Sequence, residues 1–118
     1  MNDQAAARAV VEEYAAACAA RDVGRLKAIF HPQALMSGYL REVRMIGSPQ
    51  PFYDAVQGAP VEAVAGYRTQ IPQLDVTGMT ASATLKEQNF LGMSFTNFFH
   101  LMKLDGKWQI VSKTFMTE

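Results

Sequence analysis

Along the first thirty residues apolar side chains recur at helical spacing. Val10, Val11, Tyr14, Ala17 and Cys18 share one face of an alanine-rich segment that Asn2 or Asp3 can cap and that ends near Arg21. Asp22 stands where the N-cap of a second, shorter helix belongs, with Leu26, Ile29 and Phe30 as its stripe and Pro32 as its stop. The segments "ALMSGYL" and "EVRMIG" read as two strands of a hairpin. Ser48 and Pro49 supply the cap and first turn of a third helix carrying Phe52, Tyr53 and Val56, which Gly58 can close. After "GAP" the period changes from helical to alternating. Turn signals at Gly78, Leu91-Gly92 and Asp105-Gly106 divide the remainder into strands at 66–76, 79–90, 93–104 and 107–116. The order predicts an α+β domain: three helices from the N-terminal half on the concave face of a curved antiparallel sheet of about six strands, enclosing a pocket.

The stretch "SFTNFFHLMKLDGKW" decides which side chains face that pocket. Strand residues alternate faces, so Asn97 and His100 cannot share a pocket unless a bulge intervenes. Counting back from a two-residue Asp105-Gly106 turn sets Met102 opposite Gln109, His100 opposite Val111 and Phe98 opposite Lys113. This face is taken as inward, together with Phe115. The other face carries Asn97, Phe99, Trp108 and Ile110 and is apolar as well, which predicts a homodimer joined through the outer side of the sheet. The same counting across Leu91-Gly92 sets Glu87 beside Thr96, and one strand further it brings Arg68 next to Glu87. Pro72 marks that last strand as an edge. Asn97 inside with His100 outside would reverse the register.

Composition narrows the class. At 118 residues the chain predicts one domain, 1–118, with a real core. A formal net charge of zero, with 49% hydrophobic and 19% charged residues, gives no electrostatic footprint for nucleic acid or an anionic membrane surface. The single cysteine excludes an intrachain disulfide, and only His31 and His100 could join it around a metal, so neither a metal nor a cofactor is expected. Arg8, Glu12 and Glu13 break the alanine-rich N-terminus, which therefore reads as a helix rather than a targeting segment, and a reducing cytoplasm is the expected compartment.

The segments "RDVGRLKAIFHPQALMSGYL", "SPQPFYDAV" and "FTNFFHLMKLDGKWQIVSKTF" resemble the nuclear transport factor two-like superfamily, most closely its lumazine-binding subfamily. The resemblance implies a cone-shaped α+β fold with a cavity between helices and sheet, often dimeric. Set against ketosteroid isomerase in the same superfamily, the oxyanion-hole tyrosine falls on Tyr14, its supporting tyrosine on Tyr53, the oxyanion-hole aspartate on His100 and the general-base aspartate on Gly38. Glycine supplies no proton acceptor, so steroid isomerisation is rejected.

The expected ligand pocket is thus Tyr14, Tyr53, Phe98, His100, Met102, Lys113 and Phe115. His100 and Glu87 are the acid/base candidates. Each has a plainer alternative: Tyr14 as a core tyrosine with a satisfied hydroxyl, His100 as a core histidine, Lys113 snorkelling to the cavity mouth, Glu87 paired with Arg68. His31, at a helix end, is read as structural. Phe30, Tyr39 and Phe52 read as cavity wall or core, and Met36, Met45, Met93 and Met102 as a deformable lining. The functional expectation is a cavity protein for a small molecule without a demonstrable catalytic constellation. Its alternatives are a cofactor-free isomerase, dehydratase or cyclase acting on a cyclic or polyketide-like carbonyl compound, and a pure interaction module.

Overall fold

The computed structural model describes residues 2–118. Helix α1 spans Asp3–Ala20 and starts where the Asn2 side chain accepts the Ala5 N–H. Arg21 ends it in the left-handed conformation at φ 52°, and Asp22 then caps α2 (Val23–Ile29) through the Arg25 N–H. Strand β1 runs Phe30–Leu40 and turns into β2 (Val43–Gly47); α3 covers Gln50–Gln57 and is followed by a single 3-10 turn, Val61–Val64. The meander is β3 (Arg68–Thr77), β4 (Thr80–Phe90), β5 (Met93–Leu104) and β6 (Lys107–Thr117). The three helices pack on one six-stranded curved, unclosed sheet, ordered β2-β1-β6-β5-β4-β3. All pairs are antiparallel except β1 with β6, which run parallel, so the sheet is mixed rather than purely antiparallel.

Two boundaries move. The second helix stops at Ile29, three residues before Pro32, and His31 already lies in β1, where its Nδ1 accepts the Gln33 N–H. Pro72 does sit on the edge strand, inside a register irregularity between Gln70 and Gln73 where no ladder N–H is needed.

The larger correction is the facing of the meander. Near the Leu91-Gly92 and Asp105-Gly106 turns the counted register holds: Leu104 pairs with Lys107, Met102 with Gln109, Phe90 with Met93. At the first turn Gly78 and Met79, not Thr77 and Gly78, are the loop residues, and Thr77 pairs with Thr80. Beyond each turn a bulge inserts one residue. Val111 is extra in β6, so His100 pairs with Ser112 and Phe99 with Lys113. Gln88 and Asn89 together oppose Ser94, so Glu87 pairs with Phe95 and Leu85 with Asn97. Asn89 takes φ 60°, and its amide donates to the Gly66 carbonyl.

In β5, which alternates without a break, the inward face is the reverse of the expected one: Phe98, His100 and Met102 point outward, Phe98 at 50% and Met102 at 39% exposure. Asn97, Phe99, Trp108 and Ile110 are buried under the helices and cannot form a dimer face. The bulge also carries Lys113 and Phe115 to the same side as Trp108 and Ile110. Their inward placement was expected, but from a register that would have set Asn97 and Phe99 opposite to them.

Helix α1 seats closely because its buried positions Ala7 and Ala17 are small. Asp3 fixes its start, accepting from Lys103 Nζ at 3.0 Å and Trp108 Nε1 at 3.2 Å on the sheet. Its ties to both groups hold the Asp3 carboxyl below the usual carboxylate range. The Arg25 guanidinium forks onto both Glu13 oxygens at 2.8 Å and locks α2 to α1.

Candidate functional site

Helices α1 and α2 leave the end of the sheet around the Leu91-Gly92 turn uncovered. There α3, the β1–β2 hairpin and the inner faces of β4, β5 and β6 enclose a cavity of about 540 Å³. Its wall is apolar, built by Met36, Met45, Phe52, Phe90, Met93 and Phe95 among others, while exposed Arg44, Ile46 and Ser48 stand at its rim. Glu87 and Lys113 are the charged side chains in its interior, at 1% and 4% exposure.

Each charged group is held differently. Glu87 Oε2 accepts the Tyr67 hydroxyl at 2.7 Å and Oε1 accepts the Asn97 amide at 2.9 Å. Asn97 also donates to the Leu85 carbonyl at 3.3 Å, while its own Oδ1 is buried without a partner. A carboxylate offers about four lone-pair directions, so Glu87 retains acceptor capacity towards the cavity. The expected Arg68 partner is absent: Arg68 bonds the exposed Gln88, and Thr69 lies opposite Glu87.

Lys113 has no carboxylate within ion-pair distance among the described residues. Its Nζ lies instead over aromatic faces, 3.9 Å from the Phe52 ring centre, 5.0 Å from Tyr14 and 5.6 Å from Phe115. Burial pushes its pKa below the ordinary 10.5, with Glu87 and Cys18 opposing that shift in part.

Behind this layer sit Tyr14 and Cys18. Tyr14 is wholly buried, edge-on to Phe99 at 4.9 Å, and its hydroxyl has no hydrogen-bond partner. Burial first, then the proximity of Cys18, Glu87 and Tyr67, holds its pKa well above the phenol range. Burial also pushes the Cys18 thiol up to about 12, and raises Tyr67 for the same reason. Tyr53 is buried against Phe30 away from the lining, its pKa raised by burial to about 12.

Of the residues singled out from the sequence, Lys113, Phe115 and Glu87 therefore meet at the cavity, and Tyr14 backs it. His100 is outside, its Nδ1 3.1 Å from the Ser112 hydroxyl, and takes no part. Gly38 is closed to any side chain: at φ 151°, a Cβ there would stand 2.0 Å from the Phe115 carbonyl oxygen. That leaves no room for the acid that steroid isomerisation would need at this position. Tyr67 and Asn97 were missed as partners of Glu87. Asn97 was visible as a polar residue in an apolar strand; Tyr67, placed just before β3, carried no such signal.

The family model described as "putative lumazine-binding" matches residues 2–116. The chain belongs to that family. It is 34% identical over 95 residues to the protein named "Aldolase FrzH" of Cladobotryum sp, covering 77% of this chain and 72% of the relative. Among solved structures it is similar to an NTF2-like protein of unknown function from Methylobacillus flagellatus KT, with TM-score 0.88, 28% identity and coverage of 98% of this chain and 92% of that one. An NTF2-like protein of unknown function from Shewanella baltica OS155 gives TM-score 0.86 and 27% identity, over 96% and 91% of the two chains.

Proposed function

We propose that the chain binds a largely apolar small molecule and sets a carbonyl group of it against Glu87 and Lys113. The observation that carries this reading is the pairing of a roomy apolar cavity with two buried charged side chains on its wall, on strands either side of β5. Its volume falls within the range of drug-sized ligand sites, about 300–1,000 Å³. Its polar groups are few and convergent, which suits orientation of one functional group rather than recognition of a polar ligand all round.

A catalytic role on such a ligand is favoured by the aldolase-named relative and by the chemistry of the pair. A carbonyl held at Lys113 Nζ would have its α-carbon within the same polar corner as Glu87, the proton acceptor. Proton removal next to a carbonyl is the step shared by aldol addition, isomerisation and dehydration, and it needs no cofactor.

The test is a thermal-shift screen with ketones, aldehydes, aromatic polyketides, flavins and lumazine-type pteridines, on wild type and on Met45→Trp, which fills the cavity. A ligand at about a hundred times its Kd stabilises by roughly 2.7 kcal/mol. Each ketone and aldehyde is paired with the alcohol that lacks its carbonyl. Stabilisation by a carbonyl compound that exceeds that of its alcohol and is lost in Met45→Trp supports the reading; equal stabilisation by the alcohols, or a response that survives in Met45→Trp, contradicts it.

The expected homodimer, if formed through the outer sheet face, would have to use Phe98, Met102 and Met116 there. Light scattering on wild type and Phe98→Glu checks it: a dimer that becomes monomeric supports this face, and a wild-type monomer removes it.

A further inference from the structure

We propose that Lys113 is a covalent nucleophile, attacking the carbonyl carbon of an aldehyde or ketone in the cavity to form an iminium, with Glu87 taking the α-proton. This rests on the carbonyl-binding reading above and deepens it.

The geometry argues first from how the amine is held. A lysine buried for structural reasons is ordinarily tied to a carboxylate, which keeps it protonated and blocks its lone pair. Lys113 has no such partner among the described residues, although Glu87 is on the same cavity wall. Asn97 explains the separation. It occupies the strand between them, on β5, and engages Glu87 Oε1 through its amide. The carboxylate is thereby anchored to Tyr67 and Asn97 instead of to the amine.

The surroundings of Nζ suit the intermediate. Desolvation in an apolar pocket favours the neutral amine, the form that can attack. Once the iminium forms, its positive charge occupies the place of the ammonium, over the faces of Phe52, Tyr14 and Phe115. Those faces stabilise a cation without donating or accepting a proton.

The steps balance without a cofactor. Neutral Nζ adds to the carbonyl carbon, giving a neutral carbinolamine; its hydroxyl takes up a proton from solvent and leaves as water, giving the cationic iminium. Glu87 removes a proton from the adjacent carbon, and the electron pair of that C–H bond moves to form the enamine. The enamine carbon bonds to the carbonyl carbon of a second aldehyde or ketone, whose oxygen takes the proton back from Glu87, and the nitrogen is again an iminium. Hydrolysis of this iminium consumes one water, offsetting the one released earlier, and frees the neutral amine and the proton taken up at dehydration.

The test uses pentane-2,4-dione, which condenses with a neutral amine, releasing water, to a conjugated enaminone with a new near-ultraviolet band. The full chain is treated at neutral pH, and the adduct is located by peptide mass spectrometry. The expected result is one adduct, on Lys113, while Lys27, Lys86, Lys103 and Lys107 remain unmodified. The band should be lost in Lys113→Met. Selectivity among the five lysines of the wild-type chain is decisive even if that variant does not fold. Thermal shift by the same diketone separates the two claims. Stabilisation without an adduct at Lys113 overturns the covalent role and leaves carbonyl binding standing; neither adduct nor stabilisation overturns both. Labelling of exposed lysines ahead of Lys113 also overturns the covalent role.

Discussion

The two halves of the sheet's inner face are built from the same strands to opposite ends. Near the Asp105-Gly106 turn, Ala81, Ala83, Leu101, Trp108 and Ile110 are all but sealed beneath the helices, and no charged or amide side chain is buried among them. Near the Leu91-Gly92 turn the same strands bury Glu87, Asn97 and Lys113 and border a cavity of about 540 Å³. Only Lys113 owes its side to a bulge: Val111 is extra in β6 and turns Lys113 and Phe115 to the face of Trp108 and Ile110. Glu87 follows Ala81, Ala83 and Leu85, and Asn97 follows Leu101 and Phe99, in unbroken alternation, while the bulge at Gln88 and Asn89 turns Phe90 to that same face. The lesson is that stability and chemistry are separated along the strands rather than between domains.

The largest effect expected belongs at the centre of the packed region. Phe99 is fully buried and meets the Tyr14 ring edge-on. Phe99→Ala should cost about 3–5 kcal/mol in urea unfolding. A loss below about 1 kcal/mol would mean that the packing there is not close.

Lys113→Met should act in the opposite direction, because it removes a buried cation with no ion-pair partner. A gain on the order of 1–2 kcal/mol near neutral pH is expected. Its pH dependence carries a definite sign. Burial lowers the pKa of Lys113 in the folded state, so between that lowered value and 10.5 the unfolded chain binds more protons and wild-type stability rises with pH. The advantage of Lys113→Met should therefore shrink as pH rises towards 10.5. Taking the difference between the two proteins removes the contributions of the tyrosines, whose raised values act in both; Cys18, which Lys113 itself draws down, rises further in Lys113→Met.

Tyr14→Phe removes a buried hydroxyl that has no partner, so it should be neutral or stabilising by up to about 1 kcal/mol. A loss of about 2 kcal/mol would reveal a bond that the hydroxyl makes in solution. His100→Ala should be smallest of all, within about 0.5 kcal/mol and without effect on ligand binding, since the ring is exposed on the outer face.

That last residue shows where the sequence stops being legible. The caps at Asn2 and Asp22, the helical spacing and the three turns placed the three helices and six strands to within a few residues, while the 3-10 turn Val61–Val64 was not foreseen. These are local signals, written in the residues that form them. Facing is not local: β5 alternates without a break but is apolar on both sides, so nothing within it says which side meets the helices, and in β6 the extra Val111 ends the parity learned at the turn. A trace of the second bulge was nonetheless present: Trp108 and Ile110 are even-numbered and Phe115 is odd, so no unbroken strand could bury all three. Asn89 offered a weaker hint, being a residue type that tolerates positive φ. Lys113 was placed inward, and Glu87 was recognised as an inner-face carboxylate. The real partners of Glu87, Tyr67 and Asn97, depend on the shifted register and were out of reach.

The measurement closest to the central claim is a pH titration of the protein with its lysines labelled at Cε with carbon-13, followed by NMR. Five resonances are expected, one for each lysine. The account predicts that one of them, absent from Lys113→Met, titrates below 10.5 and moves when pentane-2,4-dione is added. Five lysines titrating together near 10.5, with none responding to the diketone, would contradict it.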